Sequence, residues 1–292
     1  MLGHRALTTL LAACAAAAGA AGCGGGSGAP GGRAPASTTS APQVANGPAR
    51  APAPVAAAVH TAPSRAPVPI LMYHVIAPAP PGAKYAGLWV TPAALRAHVA
   101  ALAAAGYHGV TLDSVLDAWR GRAKLPPHPV VLSFDDGYLS QGKDAGAALQ
   151  AAGWPGVLNL AWHNLGTPGG LTRSRVQTMI RDGWEIDAHS LTHPDLTTVD
   201  AAQLRQEIAG SRAAIRHAFG VAVDSFCYPA GKFDPAVEAA VRAAGYRAAT
   251  TELPGAARPG ADRYALPRIR VDAGESPATV VQGVRAAVGS AA

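Results

Sequence analysis

Residues 130–138 read Val-Val-Leu-Ser-Phe-Asp-Asp-Gly-Tyr, an apolar run that ends in two carboxylates and a glycine. The run has the length and β-branched content of a buried strand. Neighbouring side chains of an extended chain point to opposite sides, so Asp135 and Asp136 can take different tasks, one binding a metal and the other facing a reacting water. An Asp-Gly pair is also common in turns and at helix starts, which leaves a purely structural interpretation open.

Short apolar runs on both sides of this segment alternate with stretches of helical periodicity. The predicted strands are 68–73, 129–134, 156–161, 184–188, 223–228, 246–250 and 266–271. One predicted helix begins at Thr91-Pro92. The others lie near 141–152, 172–182, 200–218 and 234–244. This alternation favours a parallel sheet, either a closed or incomplete barrel or a doubly wound sheet. In both architectures catalytic groups collect at the carboxyl ends of the strands.

Two histidines follow the predicted strand 184–188. His189 and His193 are four residues apart and can face one ion. The pair alone is weak support, because the chain holds 10 histidines. Joined to the two aspartates it supplies a His/His/Asp set with open positions for water. A closed structural zinc site is disfavoured, because Cys227 is the only thiol in the predicted domain.

A third segment, Phe226-Cys227-Tyr228-Pro229-Ala230-Gly231-Lys232-Phe233, carries a strand into a Pro/Gly turn. Turns of this kind aim backbone N–H groups outward, where they can donate to an oxyanion. An ordinary connecting loop is the alternative interpretation.

Charge and composition exclude several classes of protein. The chain has 292 residues and a net charge of +6, but residues 1–67 hold four arginines and no acidic residue. The remainder is therefore close to neutral, and the basic excess in the Pro/Ala/Gly-rich arm forms no cluster, so we expect no nucleic-acid partner. The composition also excludes collagen-like, disulfide-framework and multi-span membrane proteins.

The amino-terminal part predicts export. Residues 1–23 combine a basic start, an apolar stretch and Ala20-Ala21-Gly22-Cys23, which resembles the lipobox of bacterial lipoproteins. That resemblance implies lipidation of Cys23 and attachment to the extracellular face of the cell membrane; a secreted protein cut at an ordinary site is the alternative. Residues 24–67 are rich in Pro, Ala and Gly and predict a disordered tether. Residues 68–292 predict one folded domain.

Four motifs together resemble the polysaccharide deacetylase family, carbohydrate esterase family four, with its NodB-like domain. They are Ser133–Gly137, His189–His193, Tyr228–Gly231 and Leu266–Ile269. The resemblance covers roughly residues 68–285 and implies a distorted or incomplete (β/α) barrel. It also implies metal-dependent removal of acetyl groups from carbohydrate.

The resemblance assigns roles residue by residue. Asp135 matches the general base, and Asp136, His189 and His193 match the ligands of a divalent metal, for which we expect zinc. The early Leu-Met-Tyr-His motif ending at His74 is similar to the poly-N-acetylglucosamine deacetylase branch, where the matching histidine is the acid. A structural, hydrogen-bonded histidine is the alternative for His74.

The turn motif implies further contacts. The backbone N–H of Ala230 matches the oxyanion donor, and Tyr228 and Pro229 are expected to bind substrate.

The sequence departs from the common family pattern at two places. Cys227 stands where the family usually has an arginine that orients the base, and Arg268 is our candidate for the missing positive charge. No histidine follows His217, so the family's late catalytic histidine is absent. This absence strengthens the assignment of His74 as the acid and leaves His163 as a weaker substitute.

We therefore expect a monomeric, metal-dependent hydrolase that removes N-acetyl groups from extracellular polysaccharide containing N-acetylglucosamine. An O-acetyl carbohydrate esterase is the nearest alternative. A non-catalytic cell-surface carbohydrate-binding protein and a structural wall protein are alternatives from other classes.

Overall fold

A computed structural model describes residues 65–289, which form a ring of parallel strands surrounded by helices. The strands are β1 Ile70–Tyr73, β2 His108–Gly109, β3 Pro129–Asp136, β4 Val157–Leu160, β5 Glu185–Ala188, β6 Ser225–Cys227, β7 Ala248–Pro254 and β8 Leu266–Arg270. The helices are α1 Pro92–Ala104, α2 Leu112–Trp119, α3 Gly146–Ala152, α4 Arg173–Arg181, α5 Ala201–Phe219, α6 Pro235–Ala243 and α7 Pro277–Gly289.

The ring closes between β1 and β3. The strand order is β1-β8-β7-β6-β5-β4-β3, and β1 also pairs with β3, so seven parallel strands form a closed barrel. The short strand β2 adds to the start of β3 outside the ring. The predicted (β/α) barrel is confirmed. The doubly wound sheet, which the sequence also allowed, is excluded because β1 has a partner on both sides.

Each strand predicted from the sequence is present. Strand β3 extends to Asp136 and β7 to Pro254, both beyond their predicted ends. The predicted helix 141–152 begins with a π-helical turn, Gln141–Ala145, and continues as α3. The pattern did not predict β2, α2 or α7.

Capping residues fix where several helices begin and end. The Thr91 hydroxyl accepts a hydrogen bond from the Ala94 N–H ahead of α1, and the Asp200 carboxylate accepts two from the first turn of α5. Gly220 ends α5 in the left-handed conformation, at φ +69°. These local signals fix the ends of the helices and therefore the lengths of the loops between strands and helices.

Alternating residues of the strands face two different environments. Large apolar side chains such as Phe134 and Phe226 pack between the barrel and the helices. Inside the barrel, the starts of the strands contribute an apolar layer that includes Ile70 and Val131. Helix α2 packs against this layer through residues that include Val115, and so closes the lower end of the barrel.

The upper half of the barrel interior is polar. Ser133, Asp135 and Asn159 are buried there. Buried polar groups are costly unless they are hydrogen-bonded, and in (β/α) barrels functional groups lie at the carboxyl ends of the strands, so the search for a site begins there.

Within residues 65–289, no helix is long and apolar enough to cross a membrane. The predicted signal segment 1–23, with Cys23, and most of the predicted tether 24–67 lie outside the described residues.

Candidate active site

A cleft of about 560 Å³ opens at the carboxyl ends of the strands. Its lining combines acids, histidines and aromatic side chains from several strand ends and loops. The lining residues are His74, Tyr85, Leu88, Asp135, Asp136, Tyr138, His163, Asn164, His189, Thr192, His193, Ala230, Glu252 and Arg270.

Asp136, His189 and His193 bring three potential ligand atoms together in this cleft. Asp136 Oδ1 lies 3.6 Å from His189 Nε2 and 3.5 Å from His193 Nε2, and the two Nε2 atoms are 3.2 Å apart. Ligands held about 2.1 Å from a tetrahedral zinc ion are separated by about 3.4 Å. The three side chains therefore fit one divalent ion as a facial set that leaves open positions.

The two histidines are oriented by their surroundings. His189 Nδ1 lies 2.7 Å from the backbone oxygen of Cys227, so the ring donates there, and Nε2 is the nitrogen that faces Asp136 and His193. The loop from His189 to His193 is held by Glu207 of α5, whose carboxylate accepts hydrogen bonds from the Leu191 and Thr192 N–H groups. These contacts hold both imidazoles beside Asp136.

Backbone strain is concentrated at this site. In residues 65–289, five residues other than glycine have positive φ. Four of them are Asp136 (+78°), Ser190 (+66°), His193 (+58°) and Ala230 (+51°). Such conformations persist only where the surrounding structure enforces them, and they cluster at functional sites.

Asp135 is held by a dense set of donors below the metal-ligand set. Arg268 forms a bidentate pair with it, with Nη1 to Oδ1 and Nη2 to Oδ2 both at 2.8 Å. Asn159 Nδ2 donates to Oδ1 at 2.7 Å, and the Cys227 thiol lies 3.7 Å from Oδ2. Arg268 thus supplies the positive charge beside Asp135 that Cys227, at its own position, cannot supply.

The pKa of Asp135 follows from these contacts. Burial disfavours its charged form, but the charge and hydrogen bonds of Arg268 outweigh that penalty and hold the pKa of Asp135 well below its usual range. The carboxylate is therefore ionised at any ordinary pH. A second trio, Asp135, His189 and Cys227, also lies close together, but Arg268 already occupies both carboxylate oxygens of Asp135.

His74 lies at the end of β1, beside Asp135. Its Nε2 is 3.8 Å from Asp135 Oδ2. Burial lowers the pKa of His74, although the charges of Asp135 and Asp136 act in the opposite direction. His163, the weaker candidate for the acid, also lines the cleft but is exposed.

The structure separates the three residues of the Tyr-Pro-Ala turn. Ala230 lines the cleft, while Tyr228 and Pro229 are buried and do not. The Tyr228 hydroxyl donates to the Tyr264 backbone oxygen, inside the layer between barrel and helices. The expectation that the side chains of Tyr228 and Pro229 contact substrate is not supported by these positions. Strand alternation accounts for it: Cys227 faces the barrel interior, so Tyr228 faces the helices.

Sequence reasoning missed three residues that support the site. Asn159 and Glu207 lie on strand and helix segments without a recognisable motif, and only their contacts reveal them. Tyr138 directly follows the Asp-Asp-Gly motif, and its hydroxyl interacts with Asp136; burial and the Asp136 charge raise the pKa of Tyr138 to about 12. The phenol therefore stays protonated.

The fold and the site together define a (β/α)-barrel protein with a two-histidine, one-aspartate ligand set and a buried, arginine-paired aspartate at the carboxyl end of its strands. Residues 122–249 match the family model described as polysaccharide deacetylase. The resemblance to the polysaccharide deacetylase family that the sequence motifs indicate is therefore confirmed for this part of the chain.

Individual relatives agree with this assignment. YxkH of Bacillus subtilis (strain 168), whose name refers to polysaccharide deacetylases, is 28% identical over 207 residues, which are 71% of this chain and 72% of YxkH. The poly-β-1,6-N-acetyl-D-glucosamine N-deacetylase of Escherichia coli (strain K12) is 43% identical over 68 residues, 23% of this chain and 10% of that protein. The Streptococcus pyogenes deacetylase PplD shares the fold, with a TM-score of 0.71 and 22% identity over 75% of this chain and 99% of PplD.

Proposed function

We propose that this protein removes N-acetyl groups from extracellular polysaccharide containing N-acetylglucosamine, with a divalent metal, zinc, as cofactor. The observation that carries the proposal is the cleft that holds the His/His/Asp set, the Asp135–Arg268 pair and His74 within a few ångströms of one another. A carbohydrate-binding or structural wall protein has no need for that combination.

Asp136, His189 and His193 are the residues that would hold the metal, because their ligand atoms are 3.2–3.6 Å apart. A bound divalent ion lowers the pKa of a coordinated water and polarises a carbonyl oxygen. Imidazole nitrogen with carboxylate oxygen is a donor set that zinc accepts readily.

Asp135 accepts the proton of the attacking water in this proposal. Arg268 keeps its carboxylate ionised and fixed in orientation, at the cost of making it a weak base. A weak base needs an acidified water, which explains why Asp135 adjoins the metal-ligand set. The Ala230 N–H, in a strained turn on the cleft wall, donates to the negative charge that develops on the acetyl oxygen.

His74 is the proposed acid. An amine is a poor leaving group, so cleavage of the amide needs a proton on nitrogen. The His74 ring lines the same cleft as Asp135 and lies on the strand next to it. Its lowered pKa makes it a stronger acid once protonated.

The choice of substrate rests on two observations. The Escherichia coli protein with 43% identity over 68 residues is named a poly-β-1,6-N-acetyl-D-glucosamine N-deacetylase. Tyr85, 61% exposed, lines the cleft and offers an aromatic face of the kind that packs against sugar rings.

Acetate release from defined substrates tests the proposal. Purified protein should release acetate from β-1,6-linked N-acetylglucosamine oligomers, lose this activity with a chelator and regain it with zinc. Oligomers carrying O-acetyl esters are the matched comparison. Release from the esters alone would establish an O-acetyl esterase instead, and binding without release from either would establish a carbohydrate-binding protein.

Cys23 is proposed to carry the lipid that anchors the protein to the outer face of the cell membrane. The full chain should fractionate with membranes, and Cys23→Ser should release it into the soluble fraction, because a thiol is required for lipidation. An unchanged distribution of Cys23→Ser would place the anchor elsewhere. Gel filtration of the released variant checks the expected monomer.

A further inference from the structure

Gln141 is the first residue of the π-helical turn that follows the Asp135-Asp136 motif, and it is fully buried. Its Nε2 donates to two backbone oxygens, to His74 O at 2.7 Å and to Asp135 O at 2.5 Å. These oxygens belong to the ends of the neighbouring strands β1 and β3. One side-chain amide thus joins the backbones of the proposed acid and the proposed base.

Hydrogen bonds reach His74 through its backbone rather than through its ring. In the part of the chain that the structure describes, the imidazole makes no hydrogen bond, and its Nε2 is 3.8 Å from Asp135 Oδ2. The residues that follow are tied separately: Val75 bonds to the β1–α1 loop, and the Ile76 N–H donates to Ser140 Oγ at 3.1 Å. The His74 carbonyl is the point at which Gln141 fixes the segment that carries the ring.

Packing alone does not account for a glutamine at this position. Gln141 Oε1 is buried without a hydrogen-bond partner among the described residues. An unpaired buried oxygen destabilises the folded protein, and an apolar side chain of the same length would avoid that cost. Turns of the π type also occur preferentially at functional sites. The amide is retained here for the two bonds that its nitrogen makes.

We propose that Gln141 is a positioning residue that sets the separation of His74 and Asp135. The inference rests on the proposed role of His74 as the acid. The Asp135 side chain is held independently by Arg268 and Asn159. Loss of the Gln141 amide therefore displaces the acid more than the base, and it affects amide cleavage more than cleavage of an activated ester.

Gln141→Met tests this inference, because methionine has a similar length and no donor. Amide deacetylation should fall about tenfold, whereas hydrolysis of an activated acetyl ester should fall less than about twofold. Metal content should not change. Gln150→Met, the same exchange at an exposed position of α3, is the matched control and should leave both activities unchanged.

A double-mutant cycle gives the sharper readout. In a His74→Ala background, Gln141→Met should lower amide activity no further, because the group that it positions is gone. Equal losses on amide and ester, or a full additional loss in the double variant, would overturn the inference.

Two further outcomes are separable. If His74→Ala leaves the amide-to-ester ratio unchanged, the proposed acid role fails and the positioning role fails with it. If His74→Ala lowers that ratio and Gln141→Met does not, only the positioning role is wrong. Should Gln141→Met not fold, Gln141→Asn keeps the donors but is too short to reach both carbonyls, and the same lowered ratio is expected.

Discussion

Two arginines pair with carboxylates at opposite ends of the barrel, and the pKa values of those carboxyl groups shift in opposite directions. At the open end Arg268 pairs with Asp135 alone, and the pKa of Asp135 falls well below its usual range. At the closed end Arg247 is shared among carboxylates that include Asp113 and Asp224. There burial and the neighbouring acidic charges raise the pKa of Asp113.

The ratio of charges accounts for the difference. One arginine beside one carboxylate lowers the pKa of that group more than burial raises it. One arginine shared among several carboxylates does not offset the effects of burial and of the neighbouring negative charges. Glu185 shows this at the closed end, where burial and the charges of Asp187 and Asp113 raise its pKa. The open end is therefore suited to a permanently charged reactive group. The closed end holds carboxyl groups whose raised pKa values favour the protonated form.

The largest effect should come from the metal-ligand set. His189→Ala should reduce acetate release at least a thousandfold and lower bound zinc well below one ion per chain, because two ligands hold the ion poorly. Elemental analysis and acetate release measure both effects. His217→Ala, at an exposed position near the end of α5, is the control. Full activity of His189→Ala would eliminate the metal-dependent mechanism.

The second test contrasts the two arginines directly. Arg268→Met leaves Asp135 buried and unpaired, so the free energy of unfolding should fall by about 3–5 kcal/mol and both amide and ester hydrolysis by about a hundredfold. Arg247→Met should leave catalysis unchanged. Urea denaturation and steady-state kinetics measure the two variants in parallel. Similar kinetic losses for both would mean that the ends of the barrel are not functionally distinct.

The third test concerns the acid. His74→Ala should reduce amide deacetylation about a hundredfold and affect an activated acetyl ester much less, because a good leaving group needs little protonation. Asp135→Asn should damage both reactions, since each needs an activated water. If His74→Ala lowers amide and ester hydrolysis equally, His74 has a general positioning role and is not the acid. If it lowers neither, His163 is the next residue to test.

The smallest expected effect is a pH dependence of the free energy of unfolding that comes from the carboxyl groups at the closed end. A carboxyl group whose pKa is raised in the folded state stabilises the protein fully at low pH, and this contribution is lost as the pH rises through the folded-state pKa. The free energy of unfolding should therefore decrease above pH 5, by at most about 1.4 kcal/mol per pH unit for one group. Glu185→Gln should flatten that slope, as measured by urea denaturation at several pH values. A slope unchanged in Glu185→Gln would assign it to other groups.

Local patterns predicted the barrel correctly, and they brought out the three residues that form the candidate metal-ligand set. His189 and His193 lie in one short segment after β5, and the aspartate pair lies in another at the end of β3. Each segment brings its own side chains to the carboxyl end of its strand. The strand boundaries followed from apolar runs bounded by turn residues. Asp136, His189 and His193 meet in the structure as the spacing suggested.

Contacts between distant segments were harder to predict. Arg268 and Asp135 are 133 residues apart, and the sequence suggested their pairing only through the absence of another arginine. Nothing local marks Gln141 or Asn159, because a single amide in a strand or turn has no periodic signature. The motif taken as a unit did not reveal that alternation along β6 sends the Tyr228 side chain away from the cleft.

Helix α2 packs across the lower end of the barrel, so the cleft opens on one side only. Under the proposed reaction, acetate formed beside Asp135 leaves by the opening that the polysaccharide occupies. Both products then leave on the same side of the barrel, whereas a barrel open at both ends would offer acetate a second route.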